Sequence, residues 1–169
     1  MEAIIYTSYT GSTKKYAELL GHELAIPVLN VQESKTKLSL NTEIIYLGWI
    51  MAGKVQGYSS IKNRYKVCAI GAVGMGQTGT QVKEIRKKND IPESTPLFTL
   101  QGNFNLERLH GLYKIMMNIM IKTVGNALEK KENKTIEEED TLEMMKGGER
   151  VSIKNLQEVI NWYKRGGCI

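Results

Sequence analysis

Residues 3–14 read Ala3-Ile4-Ile5-Tyr6-Thr7-Ser8-Tyr9-Thr10-Gly11-Ser12-Thr13-Lys14. The leading residues Ala3 to Tyr6 form an unbroken apolar run, the mark of a strand covered on both faces, as in a parallel sheet. From Lys14 onward the apolar residues fall at helical spacing. Between strand and helix lie the hydroxyl side chains of Ser8, Thr10, Ser12 and Thr13, grouped around Gly11. Hydroxyls, a glycine that lets the backbone turn and the unpaired amides of a helix start together form a cradle for a phosphate. The helix dipole contributes only about 0.3–1 kcal/mol there, so hydrogen bonds from several amides and hydroxyls must supply most of the affinity. An ordinary helix cap accounts for one such hydroxyl and not for the whole set. The loop has neither Gly-x-x-x-x-Gly-Lys-Ser/Thr nor Gly-x-Gly-x-x-Gly, which speaks against a nucleoside triphosphatase and a dinucleotide fold.

Working outward, apolar runs recur at Ile44-Ile45-Tyr46-Leu47, Val67-Cys68-Ala69-Ile70 and Leu97-Phe98-Thr99-Leu100, and residues 27–31 supply one more strand. Helical spacing appears over 13–24, 58–65, 81–89, 112–128 and 153–163. Strand and helix alternate, which predicts a doubly wound α/β sheet of about five strands. Over 129–149 the composition shifts to Lys, Glu and Asn, read as a solvated helix with Thr135 or Thr141 near its cap. Nothing repeats internally, so residues 1–169 are expected to form a single domain.

The 169 residues carry 23 basic and 18 acidic side chains, a net charge of +5, with 41% apolar residues. Residues 1–80 hold 8 basic and 5 acidic groups and 81–169 hold 15 and 13, so the charge is spread and no basic stripe points to nucleic acid. Cys68 and Cys168 have neither the number nor the spacing of a zinc site or a disulfide framework, which predicts unpaired thiols in a reducing, cytoplasmic setting. No metal site is expected. The N-terminal residues are too short and too acidic a run for a signal peptide, and no apolar run is long enough to span a bilayer.

Ser8-x-Thr10-Gly11-x-Thr13 between the first strand and first helix resembles the FMN-phosphate loop of flavodoxins. The resemblance implies a flavodoxin-like three-layer sandwich, a five-stranded parallel sheet of order 2-1-3-4-5 with helices on both faces. It also implies FMN at the reversal point of that order, a placement borrowed from the family. On this resemblance Ser8, Tyr9, Thr10, Gly11, Ser12 and Thr13 hold the phosphate. The ring would lie between two glycine-rich loops, after the third and fourth strands. The first contributes Ile50, Met51, Ala52, Gly53 and Lys54; the second contributes Ala72, Val73, Gly74, Met75 and Gly76. The second is similar to the family's Gly-Ser-Tyr-Gly-Trp-Gly pattern, with Met75 where an aromatic residue would stack and Trp49 as the alternative ring neighbour. Gly53 is implied to carry the backbone rotation that lets a peptide carbonyl meet the reduced ring. Lys54 stands where many flavodoxins are acidic. A cation about 4 Å from the ring contributes between about 1 kcal/mol in water-like surroundings and about 4 kcal/mol at an effective dielectric of 20. Lys54→Glu is therefore expected to lower the second one-electron potential of the flavin. Gly102 and Asn103, after the fifth strand and ahead of Phe104, Asn105 and Leu106, are placed at the rim of the ring.

The helix Leu112-Tyr113-Lys114-Ile115-Met116-Met117-Asn118-Ile119-Met120-Ile121-Lys122 is apolar except for a narrow stripe of Lys114, Asn118 and Lys122. It is similar to a helix in small flavodoxin-domain proteins related to the bacterial quinone-linked protoporphyrinogen oxidase, which also have Gly-Lys or Gly-His in the third-strand loop. The resemblance thus implies an FMN protein of electron transfer or, alternatively, an FMN-dependent oxidoreductase of the protoporphyrinogen oxidase or quinone reductase type. The partner would be a redox protein, or a quinone or porphyrinogen substrate, with peripheral membrane contact through the Met-rich helix. No residue is assigned a catalytic role, since the flavin does the chemistry. A flavin-free phosphate-binding domain fits less well. The first strand lacks a receiver's aspartate, Cys68 is not followed by a Cys-x5-Arg loop, and His22 and His110 have no nearby triad partner.

Overall fold

The computed structural model describes residues 1–103, 111–145 and 147–168. Its strands and helices run β1 (Ala3–Thr7), α1 (Ser12–Leu24), β2 (Val28–Asn30), α2 (Val31–Lys37), β3 (Glu43–Met51), β4 (Lys54–Val55), α3 (Tyr58–Ile61), β5 (Lys66–Gly74), α4 (Val82–Asn89) and β6 (Leu97–Gln101). They continue as α5 (Gly111–Met120), a π-helical turn (Ile121–Gly125), α6 (Asn126–Glu129), α7 (Ile136–Met145), a 3-10 turn (Ile153–Leu156) and α8 (Gln157–Lys164).

The sheet order is β2-β1-β3-β5-β6, with every neighbouring pair parallel, and β4 folds back antiparallel on β3 as a short hairpin. Leaving the hairpin strand aside, this is the expected 2-1-3-4-5 order of a flavodoxin-like fold. Successive strand residues point to opposite faces. Ile5, Tyr46 and Ile70 therefore enter one core with Tyr58 and Ile61 of α3 and Ile85 of α4. Ile4, Ile45 and Leu47 enter the other with Tyr16 and Leu20 of α1 and Val159 and Ile160 of α8. Both faces are covered, which is why the strands read as continuous apolar runs.

Several local expectations are corrected. The strand expected over 27–31 gives way to a helix at Val31, because the Asn30 side chain accepts from the amides of Gln32 (2.9 Å) and Glu33 (3.0 Å) while Glu33 accepts from the Asn30 amide (2.9 Å). This capping box, legible as Asn-x-x-Glu, starts α2. The helix expected over 112–128 is interrupted by the π-helical turn, where the Thr123 hydroxyl donates to the Ile119 carbonyl at 2.9 Å. Such back-bonding loosens a helix locally. The cysteines are not free: Cys68, near the start of β5, and Cys168 are joined in a disulfide. Spacing concealed this, because the partners lie 100 residues apart and meet only when the end of the chain returns to the sheet.

By contacts the chain divides into one unit of Met1–Gly102 with Val151–Ile169, which holds the sheet, and another of Asn103–Arg150. Within the second, Thr135 and Glu138 form a capping box at the start of α7, with the Thr135 amide donating to the Glu138 carboxylate at 2.8 Å. Lys131 donates to the same carboxylate at 2.7 Å and, with the Thr135 amide, holds it below the usual carboxylate range. Among the described residues no helix is long and apolar enough to cross a membrane.

A disulfide closing a long loop stabilises mainly by restricting the unfolded chain, by about 2–4 kcal/mol. Cys168→Ser is expected to lower the guanidinium midpoint by that equivalent, and dithiothreitol to do the same to the parent protein and nothing to the variant. Equal midpoints for oxidised and reduced parent would show that the bridge contributes nothing.

Candidate functional site

The loop after β1 enters α1 through Gly11 at φ 105°, a left-handed conformation that side chains disfavour and glycine adopts freely. No side chain caps α1, although the amides of a first helical turn have no intrahelical partner. Ser12 and Thr13 are buried at this turn. Ser8 carries the one buried side-chain polar atom among the described residues that has no hydrogen-bond partner, its hydroxyl oxygen. Burying a hydroxyl without a partner costs about 1–3 kcal/mol, so such groups are seldom left unpaired inside a protein.

The phenol of Tyr46 fixes the base of this loop. It is fully buried and bonds both the Thr7 hydroxyl (2.7 Å) and the Gln56 carbonyl (2.6 Å). A carbonyl only accepts, so the phenol proton goes to Gln56 and the Thr7 hydroxyl donates to the phenol oxygen. The end of β1 is thereby tied to the chain leaving the β3–β4 hairpin. Burial pushes the Tyr46 phenol up to about 12, against the smaller opposing effect of the Thr7 bond. Tyr58 is also raised by burial, with the Arg86 charge opposing.

The hairpin turns at Ala52 (φ 48°) and Gly53 (φ 77°). Two positive φ values in a two-residue connection match the twist of the flanking strands. Ile50 leans over the end of β5, close enough that a Cβ on Gly74 would stand 2.9 Å from its Cδ1. The hairpin is also held from α4: Asn89 bonds the Gly53 carbonyl and the Val55 amide, and the Lys54 ammonium donates to the Lys88 carbonyl. Lys54 is thus engaged at the C-terminal end of α4, where the carbonyl dipoles favour a cation.

The loop after β5 is stitched to β6. The Gly79 amide donates to the Thr99 carbonyl (3.1 Å), the Thr99 hydroxyl to the Thr80 carbonyl (2.7 Å), and the Gln101 amide to the Thr78 hydroxyl (3.1 Å). The Gly102 amide donates to the Gly74 carbonyl at 2.7 Å. A Cβ on Gly102 would stand 3.2 Å from that of Ser12, so the chain leaving β6 runs against the start of α1. Trp49, at the end of β3, stacks on Tyr9 of the first loop with ring centroids 5.2 Å apart and planes 22° apart. Tyr9 remains 40% exposed.

The fold therefore gathers Ser8 to Thr13, the 50–54 hairpin, Gly74 to Gly76 and Gly102 at the carboxyl ends of β1, β3, β5 and β6. Ala72 and Val73 lie inside β5, paired to its neighbours and buried in the two cores. Asn103 belongs to the second unit, where its side chain donates to Glu149 (2.8 Å) and accepts from the Arg150 amide (2.6 Å). Phe104, Asn105, Leu106 and His110 lie outside the described residues. Sequence reasoning missed Tyr46 and Asn89. The first reads as an ordinary strand residue and the second as the end of a charged helix, and no spacing signal marks either.

Against known proteins, the flavodoxin domain family matches residues 3–134. Among solved structures, a flavodoxin from the domain Archaea is similar at 12% identity and a TM-score of 0.34, covering 86% of this chain and 97% of that one. A search of curated proteins gives no significant match.

Tyr46→Phe removes the partner of the half-buried Gln56 carbonyl and is expected to cost about 1–3 kcal/mol in denaturant unfolding. Because the folded state holds the phenol proton more tightly than the unfolded chain, its contribution is complete below pH 10 and is lost as pH rises toward about 12. The parent protein should lose stability over that window more steeply than Tyr46→Phe; identical slopes would contradict the assignment.

Proposed function

The chain belongs to the flavodoxin domain family, and from that premise we propose that it binds FMN and works in electron transfer. The observation that carries this reading is the partnerless buried hydroxyl of Ser8 beside a helix start capped only by Gly11. A phosphate monoester offers acceptor oxygens that match that hydroxyl and the first-turn amides of α1. Gly11 supplies the turn that lets those amides converge, and Gly102, where a Cβ would crowd Val73 and Ser12, lets the chain leaving β6 pass close to the helix start. The hairpin tip at Ala52 and Gly53 and the Gly74–Gly76 stretch would flank the ring, with the Tyr9–Trp49 pair at its side. Bound there, the coenzyme supplies the one-electron chemistry, while the chain holds it, orients it and limits water around it.

The test is titration of apoprotein with FMN and with riboflavin, followed by flavin fluorescence. FMN is expected to be quenched at one equivalent. Ser8→Ala removes a bond to a charged group, worth about 1.5–3 kcal/mol, and should weaken FMN about 10- to 150-fold while leaving riboflavin unchanged. Absence of saturable quenching in the parent protein would refute the reading.

On the partner side, α5 supports peripheral contact with a lipid surface. Ile115 and Ile119, one turn apart, are each 57% exposed, and Lys114 and Lys122 are exposed near them. Isoleucines next to lysines suit an interface of acyl chains and anionic headgroups. Sedimentation with phosphatidylserine-containing vesicles is expected to retain the protein and to release it in an Ile115→Asp/Ile119→Asp variant. Equal recovery of both in the supernatant would exclude this contact.

A further inference from the structure

We infer that Asn89 is a positioning residue, a clamp that keeps the Gly53 carbonyl turned toward α4 and away from the bound ring. The inference rests on the FMN reading above and concerns the same site. Asn89 closes α4, is 7% exposed, and has both amide hydrogens and one oxygen lone pair of its side chain in use. Its Nδ2 donates to the Gly53 carbonyl at 2.8 Å and to the Ile85 carbonyl at 2.7 Å, and its Oδ1 accepts from the Val55 amide at 2.8 Å. Exchanging the amide oxygen and nitrogen would set oxygen against two carbonyls and nitrogen against an amide hydrogen, so only one orientation is satisfied. The side chain therefore reads the outgoing leg of the hairpin as a neighbouring strand would, gripping a carbonyl and an amide two residues apart.

The gripped segment is one that can move. Gly53 lacks the Cβ that would restrict it, and its φ of 77° lies where glycine rotates at low cost. Reduction of a flavin places an N–H where the oxidised ring has a lone pair, and that donor seeks an acceptor. A Gly53 carbonyl committed to a buried amide is unavailable to it until the 2.8 Å bond is broken. Asn89 thus favours the oxidised state of the bound coenzyme, acting through the hairpin without touching the ring. Lys54 strengthens the same hold through its bond to Lys88.

Asn89→Ala is the direct test, with Asn89→Ser as the variant that protects the helix, since a serine hydroxyl can return to the Ile85 carbonyl four residues back but cannot reach the hairpin. In the apoprotein of both, the Val55 amide should exchange faster, and Asn89→Ser should lower the unfolding midpoint less than Asn89→Ala does because its helix bond is kept. With FMN bound, both should favour the singly reduced over the oxidised ring about tenfold more than the parent does, a rise of about 59 mV in the first one-electron potential. A merely structural role would weaken both redox states equally and leave the potential unchanged, and that result, or unaltered Val55 exchange, overturns the inference. Failure of the parent protein to bind FMN at all would instead bring down the functional reading beneath it.

Discussion

The structure depends on β1 being paired in parallel on both sides, with β2 on one edge and β3 on the other. Parallel neighbours need crossovers; the chain leaving β1 crosses to β2 and the chain leaving β3 goes on to β5 on the other side, so the loops at these two carboxyl ends diverge, the arrangement at which sheets of this kind bind ligands. The hydroxyl loop continues β1, the hairpin continues β3, and the glycine stretch ends β5, so these three candidate segments lie at the carboxyl ends of adjacent strands. Backbone pairing over Ala3↔Ile44 to Thr7↔Gly48 sets the first loop beside the hairpin before any side chain acts.

Side-chain hydrogen bonds then fix what the sheet has placed. Tyr46 reaches from β3 to Thr7 and Gln56, Asn89 from α4 to Gly53 and Val55, and Tyr16 from α1 to the Gln101 carbonyl at 2.5 Å. Asn155, in the 3-10 turn before α8, donates to the Tyr16 hydroxyl at 2.6 Å, so the returning end of the chain supports the first helix. Each of these polar groups is satisfied within the protein. The Ser8 hydroxyl is the exception, and its isolation stands out because its surroundings are so fully bonded.

The sheet and the strand-loop-helix passage at Gly11 were legible because they rest on local sequence: an apolar run, a hydroxyl cluster and a helical period within about a dozen residues. The Asn30 capping box was equally local and was overlooked because an apolar strand pattern ran into it. Ala72 and Val73 illustrate the opposite limit. Their place in a glycine-rich stretch grouped them with the ring loop, yet the strand continues through them to Gly74. The cysteine pair, Tyr46 and Asn89 were not legible, since each contact joins segments that only the folded sheet brings together.

The amino-acid sequence alone determined the layer order, through the alternation of doubly buried strands with helices, and the turn from the first strand into the first helix, through hydroxyls set around Gly11. Tertiary structure decided which residues discipline that loop and its neighbours, and which carbonyl of the hairpin is held. The physical reason is range. Hydrophobic period and turn chemistry act over a few residues, whereas a buried hydrogen bond depends on two groups meeting across the sheet, and nothing in either segment by itself specifies the other.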